Sequence, residues 1–297
     1  MGDVPIAICF FGLVKLHIGV QASIQRQIFD VLKRNGLNYH VYLHTYALGE
    51  VTNARNKEYR SKLDTNAWKK LAPHFWGVTD QGAFDSTVRL KDYLKMGDAW
   101  PENRGVSLMN HLRALHSQKL VTGLWSGSGH AYRCVIYVRP DMVYFDPLDM
   151  QAVRGAMRAP PGKSVVYTPS WQMERGYNDR MAVGSVAAMH AYGTRFDGVR
   201  AYAQRNMVHS ETYLKYSMDR GGVVRLPLRT RAARVRATGA MDERDRREFS
   251  GRGNGGRGNG GRGNGGRKLG ARGNGGRGNG VRRIGKRSTG VLDYWKR

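Results

Sequence analysis

The chain opens with Ile6-Ala7-Ile8-Cys9-Phe10-Phe11, six apolar residues in a row closed by Gly12. An uninterrupted apolar run of that kind predicts a strand buried on both faces of a largely parallel sheet. Between Gln21 and Asn35 the period changes. Ile24, Ile28, Val31 and Leu32 recur at helical spacing, Gln25, Arg26, Lys33 and Arg34 take the other faces, and Asn35-Gly36 is a stop signal. Tyr39 to Tyr46 then reads as a second strand, rich in aromatic and β-branched side chains. Together these make a βαβ unit, for which a right-handed crossover and a parallel pair are expected.

From Leu48 to Pro101 no clear period emerges, beyond a short helix expected around Ser61 to Leu71 and a turn near Asp80-Gln81-Gly82. Regularity returns at Gly105 to Leu124, where Leu108, Leu112, Leu115 and Leu120 mark a helical stripe. Tyr132 to Val138 is a strand that runs straight into Arg139-Pro140-Asp141, and Ser164 to Thr168 is a shorter one. A helical period resumes after Gly184-Ser185 and continues to Tyr202. Another helix is expected to start at Ser210, whose hydroxyl is placed to cap it, and to stop before Gly221-Gly222. Val223 to Leu228 closes the series as a strand, set at an edge by Pro227. Strands alternating with helices predict a single α/β domain over residues 1–240.

Residues 241–297 have a different character. Met241 to Arg247 is almost wholly charged, and Arg-Gly-Asn-Gly-Gly then repeats from Arg252, with arginine at 252, 257, 262, 267, 272, 277 and 282. Glycine-rich sequence offers little to bury against a large loss of backbone entropy, so a disordered basic low-complexity tail is expected. The formal charge of +26 is concentrated there: from Gly251 onward, thirteen Lys and Arg face the single acid Asp293. Charge alone makes a polyanion a candidate partner for the tail. The two cysteines, Cys9 and Cys134, sit in apolar runs and read as buried thiols. No signal peptide and no apolar run long enough to span a bilayer is legible, so a soluble cytoplasmic protein is expected.

Ligands of open parallel sheets collect at the carboxyl ends of the strands, where loops and helix N-termini expose backbone donors. Those ends are Phe11-Gly12-Leu13-Val14-Lys15, His44-Thr45-Tyr46 and Arg139-Pro140-Asp141, and none carries a dinucleotide or phosphate-loop glycine pattern. Asp141, beyond a proline that fixes the chain as it leaves the sheet, is placed to hold a divalent metal, with Arg139 sharing the task of neutralising a diphosphate. Asp179 and Glu211 are the remaining acids of a type suited to general-base work, Glu211 reading equally as a first-turn helix acid. Trp171 and Tyr177 flank the loop before Asn178 and have faces suited to stacking on a sugar or to core packing. Arg113 and Gln118 lie on a helix face that either reaches the cleft or meets solvent.

Over most of residues 5 to 240 the chain resembles glycosyltransferases of the GT-A type, and more narrowly a family found in large algal viruses and plants. The resemblance rests on Ile8-Cys9-Phe10-Phe11-Gly12-Leu13, Tyr137-Val138-Arg139-Pro140-Asp141 and Asn178-Asp179-Arg180-Met181-Ala182-Val183-Gly184. It implies a GT-A-like, Rossmann-like sheet flanked by helices, and transfer of a sugar from a UDP- or GDP-linked donor to a glycan or glycoprotein hydroxyl. By that resemblance Phe11, Gly12, Leu13 and Thr45 are donor-binding candidates, joined by Arg113 from its helix face and Arg139 from its strand end, and Asp141 is the metal ligand for Mn2+ or Mg2+. Asp179 and Glu211 are then catalytic candidates, and Trp171, Tyr177 and Asn178 acceptor-binding ones. One departure stands out. Asp141 matches the last carboxylate of an Asp-any-Asp motif, but Arg139 stands where the first would be. Two rival readings follow: a nucleic-acid or polyanion binder acting through its Arg-Gly tail, and a GT-A-like domain that only binds glycan.

Overall fold

The computed structural model describes residues 6–250. A seven-stranded sheet is its centre. In chain order its strands are β1 (Ile6–Phe11), β2 (Tyr39–Ala47), β5 (Phe75–Asp80), β6 (Val135–Val138), β8 (Val165–Pro169), β9 (Met181–Gly184) and β10 (Val224–Leu228). Across the sheet they lie in the order β10-β8-β9-β6-β1-β2-β5. β1 is parallel to both β2 and β6, β2 to β5, and β8 to β10; only β9 runs against its neighbours β6 and β8. Two small antiparallel pairs stand outside it: β3 (Glu50–Asn53) with β4 (Glu58–Lys62), and β7 (Met142–Tyr144) with β11 (Ala232–Arg234).

Both faces of the sheet are covered, which is why β1 is apolar throughout. Ile6, Ile8 and Phe10 point into a core shared with helix α1 (residues 18–34) and with α4 (Met150–Met157). Ala7, Cys9 and Phe11 point into the opposite core, with α3 (Val106–Ser126), α5 (Val186–Thr194) and α7 (Ser210–Arg220). All six β1 residues are at most 2% exposed. Each large side chain removed from water contributes about 1.5–3 kcal/mol, so this strand anchors both layers. Helix α1 is continuous over three segments, Ile18–Ile24, Gln25–Phe29 and Asp30–Arg34, the middle one in π geometry. Cys9 and Cys134 are free and buried.

Three differences from the sequence reading matter. The unassigned stretch holds the hairpin β3–β4, the edge strand β5 and helix α2 (Gln81–Thr87), capped by the Asp80 carboxylate accepting from Ala83 N at 2.7 Å. The helical period after Ser185 is broken at Arg195 into α5 and α6 (Phe196–Ala203). The packed chain also continues past residue 240. Asp242 accepts from the backbone N–H groups of Arg244 and Asp245, starting helix α8 (Glu243–Ser250), and Asp245 is fully buried. The Arg-Gly-Asn-Gly-Gly repeats lie outside the described residues. No helix among the described residues is long and apolar enough to cross a membrane.

Candidate functional site

Strand order reverses between β1 and β6, which pair with each other while their crossovers lead to opposite sides of the sheet. The carboxyl ends of two such strands diverge into a crevice, the usual ligand position in an open α/β sheet. On the β1 side the chain leaves through Gly12, whose φ of +88° an L side chain rarely adopts. Its N–H is held by the Ser117 hydroxyl of α3 at 2.7 Å. On the β6 side it leaves through Arg139-Pro140-Asp141.

Arg139 and Asp141 form a two-pronged pair, Nε to Oδ1 at 2.9 Å and Nη2 to Oδ2 at 2.8 Å. Burial opposes ionisation of Asp141, but Arg139, with more distant Lys15 and Arg234, outweighs it and brings the carboxyl down to about 2. The Arg139 Nη1 has no partner among the described residues, and about a quarter of the side chain is exposed. Lys15, from the loop after β1, is bonded to the fully buried Glu58 at 2.6 Å, and Glu58 also accepts from Ala237 N at 2.6 Å. The segment after β11 therefore runs alongside this end of the sheet, with Val235 N donating to the Asp141 carbonyl at 2.7 Å.

This arrangement does not fit the expected Mn2+ or Mg2+ site. Both Asp141 oxygens are engaged by Arg139, and among the described residues no group of three or more His, Cys, Asp or Glu could hold a metal ion. A cation entering here would have to break a charge-assisted fork and sit beside a guanidinium.

Asp179 and Glu211 are brought together from the end of the loop before β9 and the first turn of α7. The loop is fitted to the helix backbone: Tyr177 N donates to the Glu211 carbonyl at 3.0 Å, and a Cβ on Gly176 would collide with that same carbonyl. The Asp179 carboxylate has no hydrogen bond or ion pair among the described residues. Burial disfavours its charge, yet nearby positive charge, that of Arg139, Arg195 and Arg180, holds its pKa below the ordinary value. Glu211 moves the other way, raised to about 7 by burial and then by the Asp179 charge. The Ser210 hydroxyl, expected to cap α7, donates to Glu211 Oε2 at 2.5 Å instead. His209 Nδ1 lies 3.1 Å from the same oxygen without hydrogen-bond geometry, its ring stacked on Trp100 at 5.1 Å.

Other candidates are engaged in packing. Phe11 and Thr45 are 2% exposed, the Thr45 hydroxyl accepting from Val14 N at 3.3 Å, while Leu13 packs beside the cluster around Tyr46 and Phe84. Arg113 forks onto Asp85 at 2.8 and 2.6 Å and donates to Asn110. Trp171 faces the core: its indole N–H donates to the Thr230 carbonyl at 3.2 Å, and Arg180 and Phe249 lie against its ring. Asn178 closes the loop internally, donating to the Trp171 carbonyl at 2.7 Å and accepting from Arg180 N at 2.9 Å. Tyr177 is pinned to α7 through Asp219 at 3.1 Å, with Lys215 over its ring. Trp171, Tyr177 and Asn178 thus all shape the loop before β9.

Lys15, Glu58, His111, Arg195 and His209 were not singled out as site residues by sequence, because the groups they meet lie far along the chain.

No protein-family model matches the chain, and no curated protein matches it. Among solved structures, mouse xyloside xylosyltransferase 1 in its apo form aligns with 75% of this chain and 84% of its own, at a TM-score of 0.36 and 11% identity. Galactosyltransferase LgtC, in complex with donor and acceptor sugar analogs, aligns with 74% of this chain and 72% of its own, at 0.37 and 7%. Likeness at that level says nothing of this chain's chemistry.

Proposed function

We propose that the chain is a glycosyltransferase that moves a sugar from a nucleoside-diphosphate donor to a hydroxyl acceptor. The observation that carries this reading is the pair of acids Asp179 and Glu211, whose environments drive their pKa values apart beside Arg139. Two neighbouring carboxyls kept in different protonation states divide acid–base roles at neutral pH. Asp179, held ionised, stabilises positive charge developing at the anomeric carbon. Glu211, close to half-protonated near neutrality, takes the proton of the acceptor hydroxyl as the new bond forms. Arg139, fixed by Asp141 and with Nη1 free of described partners, binds the diphosphate and offsets the charge on the leaving nucleotide.

A thermal-shift panel of UDP- and GDP-linked sugars, followed by donor hydrolysis, tests the reading. Any ligand that binds only the native state raises its melting temperature in proportion to occupancy. One donor should stabilise the protein and be slowly hydrolysed, and both effects should persist with EDTA present. A flat panel with folded protein would overturn the proposal, and complete loss in EDTA would return the diphosphate role to a metal.

A further inference from the structure

Three buried side chains near Asp179 or Tyr192 each hold a polar atom that no described residue satisfies. His111 is 7% exposed with Nε2 unpartnered, Arg195 is 5% exposed with Nε unpartnered, and Gln118 is 1% exposed with Oε1 unpartnered. Tyr192 joins Arg195 to Asp179. Its hydroxyl donates to the Asp179 carbonyl at 3.2 Å, its own carbonyl accepts from Arg195 Nη1, and its ring lies 4.2 Å beneath the Arg195 guanidinium. Asp179 supplies the fourth group, a carboxylate without a hydrogen-bond partner among the described residues.

Buried polar groups left unmet are rare in native proteins, because each forfeits its hydration, and a buried guanidinium without an acid in contact is rarer still. Three such atoms beside a partnerless carboxylate mark a place where a ligand supplies the missing bonds. The kind of ligand follows from the groups. Arg195 donates, Asp179 and Gln118 Oε1 accept, and a neutral imidazole does either according to its tautomer. The charges are one cation and one anion, with His111 kept neutral by burial. A mixed, charge-balanced set suits hydroxyl groups, which donate and accept at once. A carboxylated sugar would set a second anion against Asp179 and Glu211, and an ammonium would face Arg139 and Arg195.

Resting on the glycosyltransferase reading above, we infer that His111, Gln118, Arg195 and Asp179 form the subsite that selects an uncharged hexosyl or pentosyl group on the donor. The side chains act by hydrogen-bonding ring hydroxyls, so a glycosyl group lacking the matching hydroxyl leaves them buried and unmet. Discrimination of that kind is stronger than apolar fit provides.

Titration calorimetry on the full chain compares UDP and GDP with UDP-glucose, UDP-galactose, UDP-xylose, UDP-glucuronate, GDP-mannose and GDP-fucose. At least one neutral sugar nucleotide should bind roughly tenfold or more tightly than its bare diphosphate, the gain of one charge-assisted hydrogen bond. His111→Leu, chosen to keep the buried volume, should erase most of that increment and leave the affinity for bare diphosphate unchanged. Arg195→Met should do the same more severely, and a urea melt shows whether it folds; if it does not, His111→Leu decides. Preference for UDP-glucuronate, or an increment untouched in a folded variant, would overturn the inference. Diphosphate binding with no sugar increment would also overturn it while leaving the glycosyltransferase reading standing; absence of any nucleotide binding would remove both.

Discussion

Two buried charge clusters lie next to each other in this domain, joined by consecutive residues of one loop. In the first, Asp245 accepts from Arg180 Nη1 at 2.9 Å, from Arg234 N at 2.9 Å and from Arg234 Nε at 3.2 Å, while Asp242 is paired with Arg234 and Arg236. The second holds Asp179, one residue before Arg180, whose carboxylate meets no donor although His111, Arg139 and Arg195 surround it. Both bury acids and bases, but only the first satisfies them. Saturation makes a charge cluster structural, since its desolvation cost is offset inside the protein. Incomplete saturation leaves that offset to a ligand.

The largest effect should come from the open cluster. Glu211→Gln keeps the shape and the Ser210 contact but cannot take a proton, so sugar transfer should fall about 10²- to 10⁴-fold, the usual contribution of a positioned base. Initial rates with saturating donor check this, and donor affinity measured beside them should change little. The closed cluster should fail in the opposite way. Asp245→Ala strands Arg180 in the core and takes from Arg234 one of its two acids, and breaking one side of a buried pair costs about 3–5 kcal/mol. A urea midpoint lowered accordingly, with no change in slope, would confirm the assignment. Truncation after residue 240 should destabilise at least as much, because it removes Asp242, Asp245 and the Phe249 ring that packs on Trp171.

A pH series sharpens the contrast because Glu211 and Asp245 titrate in opposite senses. Glu211 has a folded pKa of about 7 against an ordinary 4.5, so the unfolded chain ionises first. Its contribution to stability is full below 4.5 and is lost as pH rises through 7. Asp245 is lowered in the fold, where burial is outweighed by Arg180 and Arg234, so its contribution is present above the ordinary range near 3.8 and lost as pH falls. Stability should therefore decline between pH 4.5 and 7 in the native protein and less so in Glu211→Gln. The transfer rate should rise over the approach to pH 7, as the base loses its proton. Equal slopes in both proteins would remove Glu211 from this account.

Legibility in the sequence followed burial geometry. β1 could be read because a strand covered on both faces is apolar without interruption, β2 from its aromatic and β-branched side chains, α3 because its apolar stripe keeps a helical period over several turns, and α7 from Ser210 at its start and Gly221-Gly222 at its end. β5 could not: Phe75, Trp76 and Val78 are 38%, 54% and 45% exposed on an edge strand, so apolar residues there carry no alternation. β9 has only four residues, too few for any period, and the π segment of α1 leaves no compositional mark. In the site, the carboxylates stood out because Asp141 follows a strand and Glu211 begins a helix. Their partners did not, since Lys15 meets Glu58 across 43 residues and Arg180 meets Asp245 across 65, the latter in a segment whose composition suggested only a charged tail.

The smallest effect tests the comparison at its margin. Arg113 lies on the same helix as His111 and Gln118, and was a donor-binding candidate by its residue type. Its guanidinium is instead held in a fork by Asp85, with side-chain exposures of 20% and 28%. A half-exposed pair is screened by solvent, so Arg113→Met should lower stability by about 1 kcal/mol or less. Because every bond the Arg113 guanidinium makes closes on α2 or on its own helix, donor affinity should stay within twofold of the native value. A tenfold loss of donor affinity in a variant of unchanged melting temperature would mean that this fork opens for the ligand. Saturation would then no longer separate structural charges from functional ones in this domain.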